Sequence, residues 1–172
     1  LAIRKGWSLE HAAKLNRQVS DTAAAAGLQF NLEKAVPANS FDAHRLSKLA
    51  EEKGLGNELE EKLFEAYFTK GLNIQNAETL AEIAVQAGLS KEESAKLNNP
   101  ESYAAQVLAE IAEARELGIS GVPFFVFNRK YAVSGAQPAE VFLQVLQKLD
   151  EEETPAFSME ASGETCSTDG VC

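Results

Sequence analysis

The chain has 172 residues, 45% apolar and 24% charged. That is the balance of an ordinary globular protein with one core, or one core carrying an inserted subdomain. Its 26 acidic and 16 basic side chains leave a formal net charge of -10, which disfavours nucleic acid and anionic membrane surfaces as partners. No apolar run reaches the ~18 residues a bilayer span needs, and Leu1 to Gly6 contains no apolar stretch long enough for a signal peptide.

The first part of the chain reads as helices. Ser8 is placed to cap a helix that runs to Gly27, with Leu9, Ala12, Ala13, Leu15 and Val19 forming its apolar stripe. Residues 28–37 read as a connection, because Pro37 disfavours helix at Val36. A second helix is expected from about Ser40 to Gly54, with Phe41, Leu46 and Leu49 inward. A third runs from about Gly56 to Lys70, with Leu59, Leu63, Phe64, Tyr67 and Phe68 on one side, a spacing that reads as core. Asn76 caps a fourth helix ending at Gly88, and Ser90 a shorter fifth. Asn99 and Pro100 read as a cap followed by proline at the first helical position of a sixth, which carries Tyr103, Val107, Leu108, Ile111 and Leu117.

The period changes after Gly118. Phe124-Phe125-Val126-Phe127 is rich in strand formers, Asn128-Arg129-Lys130 is a turn, and Tyr131 to Ser134 is a second strand, which together predict a β-hairpin. Pro138 opens a last helix with Val141, Phe142, Val145, Leu146 and Leu149 inward. Beyond Asp150 the composition turns acidic, small and polar, as in a tail without a core. Phe124 to Phe127 is apolar at every position, so both faces of that strand are expected to be buried. An isolated hairpin is marginal in water, and one edge of this strand would stay unpaired. Residues 28–32 alternate but are short, and no convincing third strand follows. The expectation is that further strands lie before Leu1, or that a second copy or a partner chain completes the sheet; the alternative is a complete α+β protein with a tiny sheet.

Three segments carry a resemblance. The first is Gly118-Ile119-Ser120-Gly121-Val122-Pro123-Phe124-Phe125-Val126, continuing through Lys130 to Pro138. The second is Asn39-Ser40-Phe41-Asp42-Ala43-His44-Arg45-Leu46, and the third is Cys166-Ser167-Thr168-Asp169-Gly170-Val171-Cys172. Together they resemble the DsbA-like thioredoxin-fold oxidoreductases of the FrnE type, near the 2-hydroxychromene-2-carboxylate isomerase-like proteins. The resemblance implies an α/β, thioredoxin-like fold with an inserted helical domain, incomplete here and mostly α with one hairpin. Residues 1–118 would be the helical insertion, 119–150 the C-terminal part of the thioredoxin-like domain, and 151–172 an acidic tail with a cysteine pair. The family's Cys-x-x-Cys has no counterpart in these residues.

The implied activity is protein thiol–disulfide oxidoreduction or isomerisation, by thiolate attack through a mixed disulfide, with this chain alone inactive. The alternatives are a glutathione-dependent isomerase or transferase of the same superfamily, or a non-catalytic peptide-binding remnant. On the resemblance, Val122 and Pro123 form a cis-proline loop whose backbone receives a substrate peptide or glutathione as an added strand. His44 lies over the active cleft, where its charge would stabilise a thiolate; as a lone helical histidine it reads instead as a solvated side chain. His11 reads as a surface residue.

Cys166 and Cys172, with five residues between them, can close a disulfide. They read as an accessory redox pair or as free thiols on a tail. With Asp169 alone beside them they fall short of a four-ligand zinc site. No metal or cofactor is expected, beyond glutathione as a co-substrate. The expected partners are protein thiols and disulfides. The acidic charge and a core without cysteine favour the cytoplasm.

Overall fold

The structure, a computed structural model, describes residues 6–153. The chain divides into two compact units between Leu117 and Gly118. The first unit is helical. Its elements are α1 (Leu9–Ala25), α2 (Phe41–Glu52), α3 (Gly56–Phe64), which continues as a π-helical turn (Glu65–Lys70), α4 (Ala77–Gln86), α5 (Lys91–Ser94), a 3₁₀ turn (Ala95–Asn98) and α6 (Ala104–Glu116).

Caps set several of these boundaries. Ser8 accepts the backbone N–H of His11, Asn76 accepts that of Thr79, and Ser90 forms a reciprocal capping box with Glu93, each satisfying a donor that the first turn leaves without a partner. Asn99 and Pro100 do not open α6 as expected. Asn99 Oδ1 accepts the N–H of Glu101 in a local turn, Tyr103 takes a left-handed φ of 61°, and the helix starts at Ala104. The side chain of Asn99 competes here with helix formation in the way that also makes asparagine a good cap.

The core of this unit is built by α2, α3 and α4. Leu46, Leu49 and Leu59 are fully enclosed, with Ile83, Ala84 and Leu89 buried around them; removing each leucine side chain from water contributes about 2 kcal/mol. Arg45 is also buried. It donates through Nε to the Ser102 carbonyl at 2.7 Å, through Nη1 to Asp42 at 2.8 Å, and through Nη2 to the carbonyls of Leu97 and Asn99. One guanidinium thus holds α2 against the turns that precede α6, and its charge is compensated on every side. Lys48 bridges Glu51 and Glu110, and their carboxylates raise its ammonium above the ordinary lysine range.

The connection before α2 is fastened to the π turn. Asn31 donates its backbone N–H to the carbonyl of Phe68 and its side-chain amide to that of Thr69, while the Thr69 hydroxyl donates to the Gln29 carbonyl. Gly71 ends that turn at φ 67°, and a Cβ there would lie 2.6 Å from the Lys34 carbonyl oxygen. Both the dihedral and the close approach require glycine. Residues 28–32 form no strand. The helical stripe of α1 is less buried than its spacing predicts: Ala12 is buried, whereas Leu9 and Val19 are exposed.

The described part of the second unit is an antiparallel hairpin and one helix. β1 (Phe124–Phe127) pairs with β2 (Tyr131–Ser134) in the register Phe124↔Ser134 to Phe127↔Tyr131. Asn128 and Arg129 take positive φ at the tip, the geometry that suits the right-handed twist of a tight hairpin. α7 (Ala139–Glu153) runs three residues beyond the Asp150 boundary expected for the tail. Phe142 of α7 packs edge-on against Phe125 at 4.8 Å and tilted against Phe127 at 6.4 Å. Phe125 and Phe127 share one strand face, so α7 covers that face.

The expectation that both faces of β1 are buried does not hold within the described residues. Phe125 and Val126 are each 40% exposed. β2 is the only strand paired with β1 among the described residues. On α7, Leu149 is buried but Leu146, expected inward, is exposed.

Candidate functional site

Two places in the molecule bear on function, and each belongs to one unit. In the first unit, α2 carries the sequence Asp42-Ala43-His44-Arg45. Consecutive helical residues point in different directions, so His44 and Arg45 serve different surroundings. Arg45 turns into the buried carbonyl cluster described above. His44 stays exposed and borders a cavity of about 290 Å3, whose wall includes Ser47, Glu60, Phe64, Tyr67 and Phe68.

The aromatic wall is fixed by its own packing. Phe68 stacks on Phe30 with centroids 4.7 Å apart and planes within 13°, while Tyr67 meets Phe68 edge-on at 5.0 Å. Phe64, Tyr67 and Phe68 were expected in the core by spacing. Leu63, expected inward, is buried, and so is Ala66, which lies between Phe64 and Tyr67, whereas Phe64 is 53% exposed. Period identifies which residues share a side; the depth of the neighbouring surface decides whether that side is closed. The buried Ser47 hydroxyl donates to Glu60 Oε1 at 2.6 Å, which fixes that carboxylate at the cavity. No lysine or arginine lines this cavity.

A larger cavity of about 550 Å3 lies along α4, α5 and the 3₁₀ turn, over Leu80, Val85 and Leu97. Its border mixes Asp42, Glu82 and Lys91 and shows no preference of charge.

In the second unit, the Val122–Pro123 peptide is cis and Val122 is 90% exposed. This segment leads directly into β1. The Gly135 N–H donates to the Pro123 carbonyl at 2.9 Å, extending the hairpin contact by one step on the β2 side. The side of β1 away from β2 offers backbone donors and acceptors with no strand against them among the described residues.

Val122 and Pro123 lie together in this unit, and His44 lies in the other. Cys166 and Cys172 fall outside the described residues. Among the described residues no group of three or more His, Cys, Asp or Glu side chains is arranged to hold a metal ion, and no helix is long and apolar enough to cross a membrane.

Glu60 and the aromatic wall were not recognised from sequence as neighbours of His44. α3 and its π turn bring them there, and only the packing of α3 on α2 makes the juxtaposition. The one available signal was three aromatic residues within five positions after an acidic residue.

Comparison with known proteins agrees with this architecture. Residues 3–147 match the DSBA-like thioredoxin domain family. Among solved structures, the chain is similar to a probable DsbA oxidoreductase from Streptomyces coelicolor, with 41% sequence identity and a TM-score of 0.82 over 99% of this chain and 73% of that one. No curated protein matches. On the family match and this similarity, the chain belongs to the DsbA-like thioredoxin-domain family.

Proposed function

We propose that the protein takes part in thiol–disulfide exchange on polypeptide substrates, as an oxidoreductase or isomerase of the FrnE type. The observation that carries this reading is the exposed Val122–Pro123 segment at the head of β1, in a chain of this family. An extended peptide can add to such an edge through main-chain hydrogen bonds, with selectivity left to the side chains around it. Val122 and Pro123 would hold the backbone on either side of the reacting cysteine, and His44 would line a further part of the substrate surface.

The chemistry itself is attack of a thiolate on a disulfide sulfur, which forms a mixed disulfide and releases the other sulfur as a thiolate. The 172 residues contain two cysteines, Cys166 and Cys172, and no Cys-x-x-Cys. In this reading the attacking dithiol belongs to residues outside these 172, and the Cys166/Cys172 pair acts as an accessory dithiol. The acidic charge and the absence of cysteine before residue 166 favour a cytoplasmic setting.

The test is insulin reduction with dithiothreitol, run on the 172-residue chain and on the chain together with whatever its gene encodes immediately upstream of Leu1. The expected result is no catalysis by the first and catalysis by the second. Turnover by the 172 residues alone, or an upstream sequence without a dithiol motif, would contradict the reading.

A further inference from the structure

The cavity beside His44 has a chemical character that thiol–disulfide exchange does not explain. Its border holds the rings of Phe64, Tyr67 and Phe68, and Glu60 is its only carboxylate. Glu60 forms no ion pair with any described lysine or arginine; its hydrogen-bond partner is the buried hydroxyl of Ser47. The lysines closest to the aromatic residues in sequence, Lys62 and Lys70, are both engaged by Glu65.

An aromatic wall with a single carboxylate is the arrangement that attracts an organic cation. Ring faces carry negative potential, and a neighbouring carboxylate adds a full opposite charge in a partly desolvated place. The formal charge of -10 draws cations toward the whole molecule. At about 290 Å3 the cavity sits at the bottom of the roughly 300–1,000 Å3 range of small-molecule sites, a size suited to one side chain. Tyr67 and His44 border the same cavity, and their side chains form no hydrogen bond with the described residues, which leaves both for the peptide groups that flank an inserted side chain.

We propose that this cavity binds an arginine or lysine side chain of a polypeptide, its charge against Glu60 and its stem against Phe64, Tyr67 and Phe68. Arginine is the better fit, because its planar guanidinium can stack on a ring and pair with a carboxylate at once. The inference rests on the first unit alone and stands or falls apart from the thiol–disulfide reading, since the probes below contain no sulfur.

The experiment is titration of the 172-residue chain with N-acetyl-arginine amide, its uncharged analogue N-acetyl-citrulline amide, and tetramethylammonium, followed by calorimetry and by the ring resonances of Tyr67. The arginine derivative is expected to bind and to shift those resonances. The citrulline derivative should bind about tenfold more weakly or worse. Glu60→Gln keeps an acceptor for Ser47 and should remove most of that difference; Phe64→Leu, at an exposed position, should weaken the arginine derivative several-fold without altering the fold. Equal binding of arginine and citrulline derivatives, unchanged affinity in both variants, or no binding would overturn the proposal. Tighter binding of tetramethylammonium than of the arginine derivative would overturn the assignment to a polypeptide side chain.

Discussion

The two units differ in how completely they close over their own apolar residues. The helical unit encloses Leu46, Leu49 and Leu59 entirely and supplies an acceptor for each nitrogen of a buried arginine. Among its described residues, the hairpin unit buries only Val133 and Leu149 of the large apolar side chains and leaves Val122, Phe125, Val126, Leu143 and Leu146 substantially exposed. One unit has a finished core. Among its described residues, the other has a single helix laid on two short strands, with apolar side chains and a strand edge still turned outward. A closed helical unit can hold a shaped pocket such as the one beside His44, whereas an open edge is suited to receiving another segment of chain.

The same substitution placed in both units should show the contrast most strongly. Leu46→Ala opens a cavity in a tightly enclosed core and should cost about 4–5 kcal/mol, while Leu149→Ala, where the surroundings can collapse, should cost about 2 kcal/mol. Urea unfolding of the two variants measures this, and equal costs would break the comparison. Arg45→Met comes next. It leaves the carbonyls of Leu97, Asn99 and Ser102 without their donor and should cost about 3 kcal/mol, measured in the same way.

Glycine positions sharpen the picture inside the helical unit. Gly54 and Gly71 both take positive φ, but a Cβ at Gly54 meets nothing within 4 Å, whereas at Gly71 it meets the Lys34 backbone at 2.6 Å. Gly54→Ala should cost about 1 kcal/mol, the dihedral penalty alone. Gly71→Ala should cost clearly more and should loosen the connection that holds Asn31 against the π turn. Comparing their thermal midpoints tests the claim.

The smallest effect is electrostatic. The backbone N–H of Ser90 and then the ammonium of Lys53 pull the Glu93 carboxyl from its usual 4.5 down to about 2. A carboxyl depressed in the folded state stabilises above its unfolded value, and that contribution disappears as pH falls from 4.5 toward 2. Glu93→Gln should therefore lower stability slightly at neutral pH, flatten the acid limb between 4.5 and about 2, and change little below that window. An unchanged acid limb would remove Glu93 from the account.

Much of the fold could be read from local chemistry. The caps at Ser8, Asn76 and Ser90 depend on residues three positions apart, and the hairpin from Phe124 to Ser134 announces itself by composition and turn. What local chemistry does not encode is depth. Phe64 and Leu146 have the spacing of inward residues, but whether a side is covered depends on what packs there from elsewhere in the chain. Asn99 misled for a related reason, because its side chain serves a turn as well as a cap. The cavity beside His44 depends on α3 lying along α2, a contact between residues far apart in sequence, so no motif contains it. Val122 and Pro123 were found through family resemblance, and composition alone would have treated them as the start of a strand.

Backbone amide exchange tests the contrast between the units most directly. The slowest amides should lie in α2, α3 and α4, around Leu46, Leu49, Leu59 and Ile83. The hydrogen-bonded amides of β1 and β2 should exchange well before them, through local opening of an incompletely covered hairpin. Hairpin amides as strongly protected as that of Leu49 would contradict the account, because they would show that the second unit is as closed as the first.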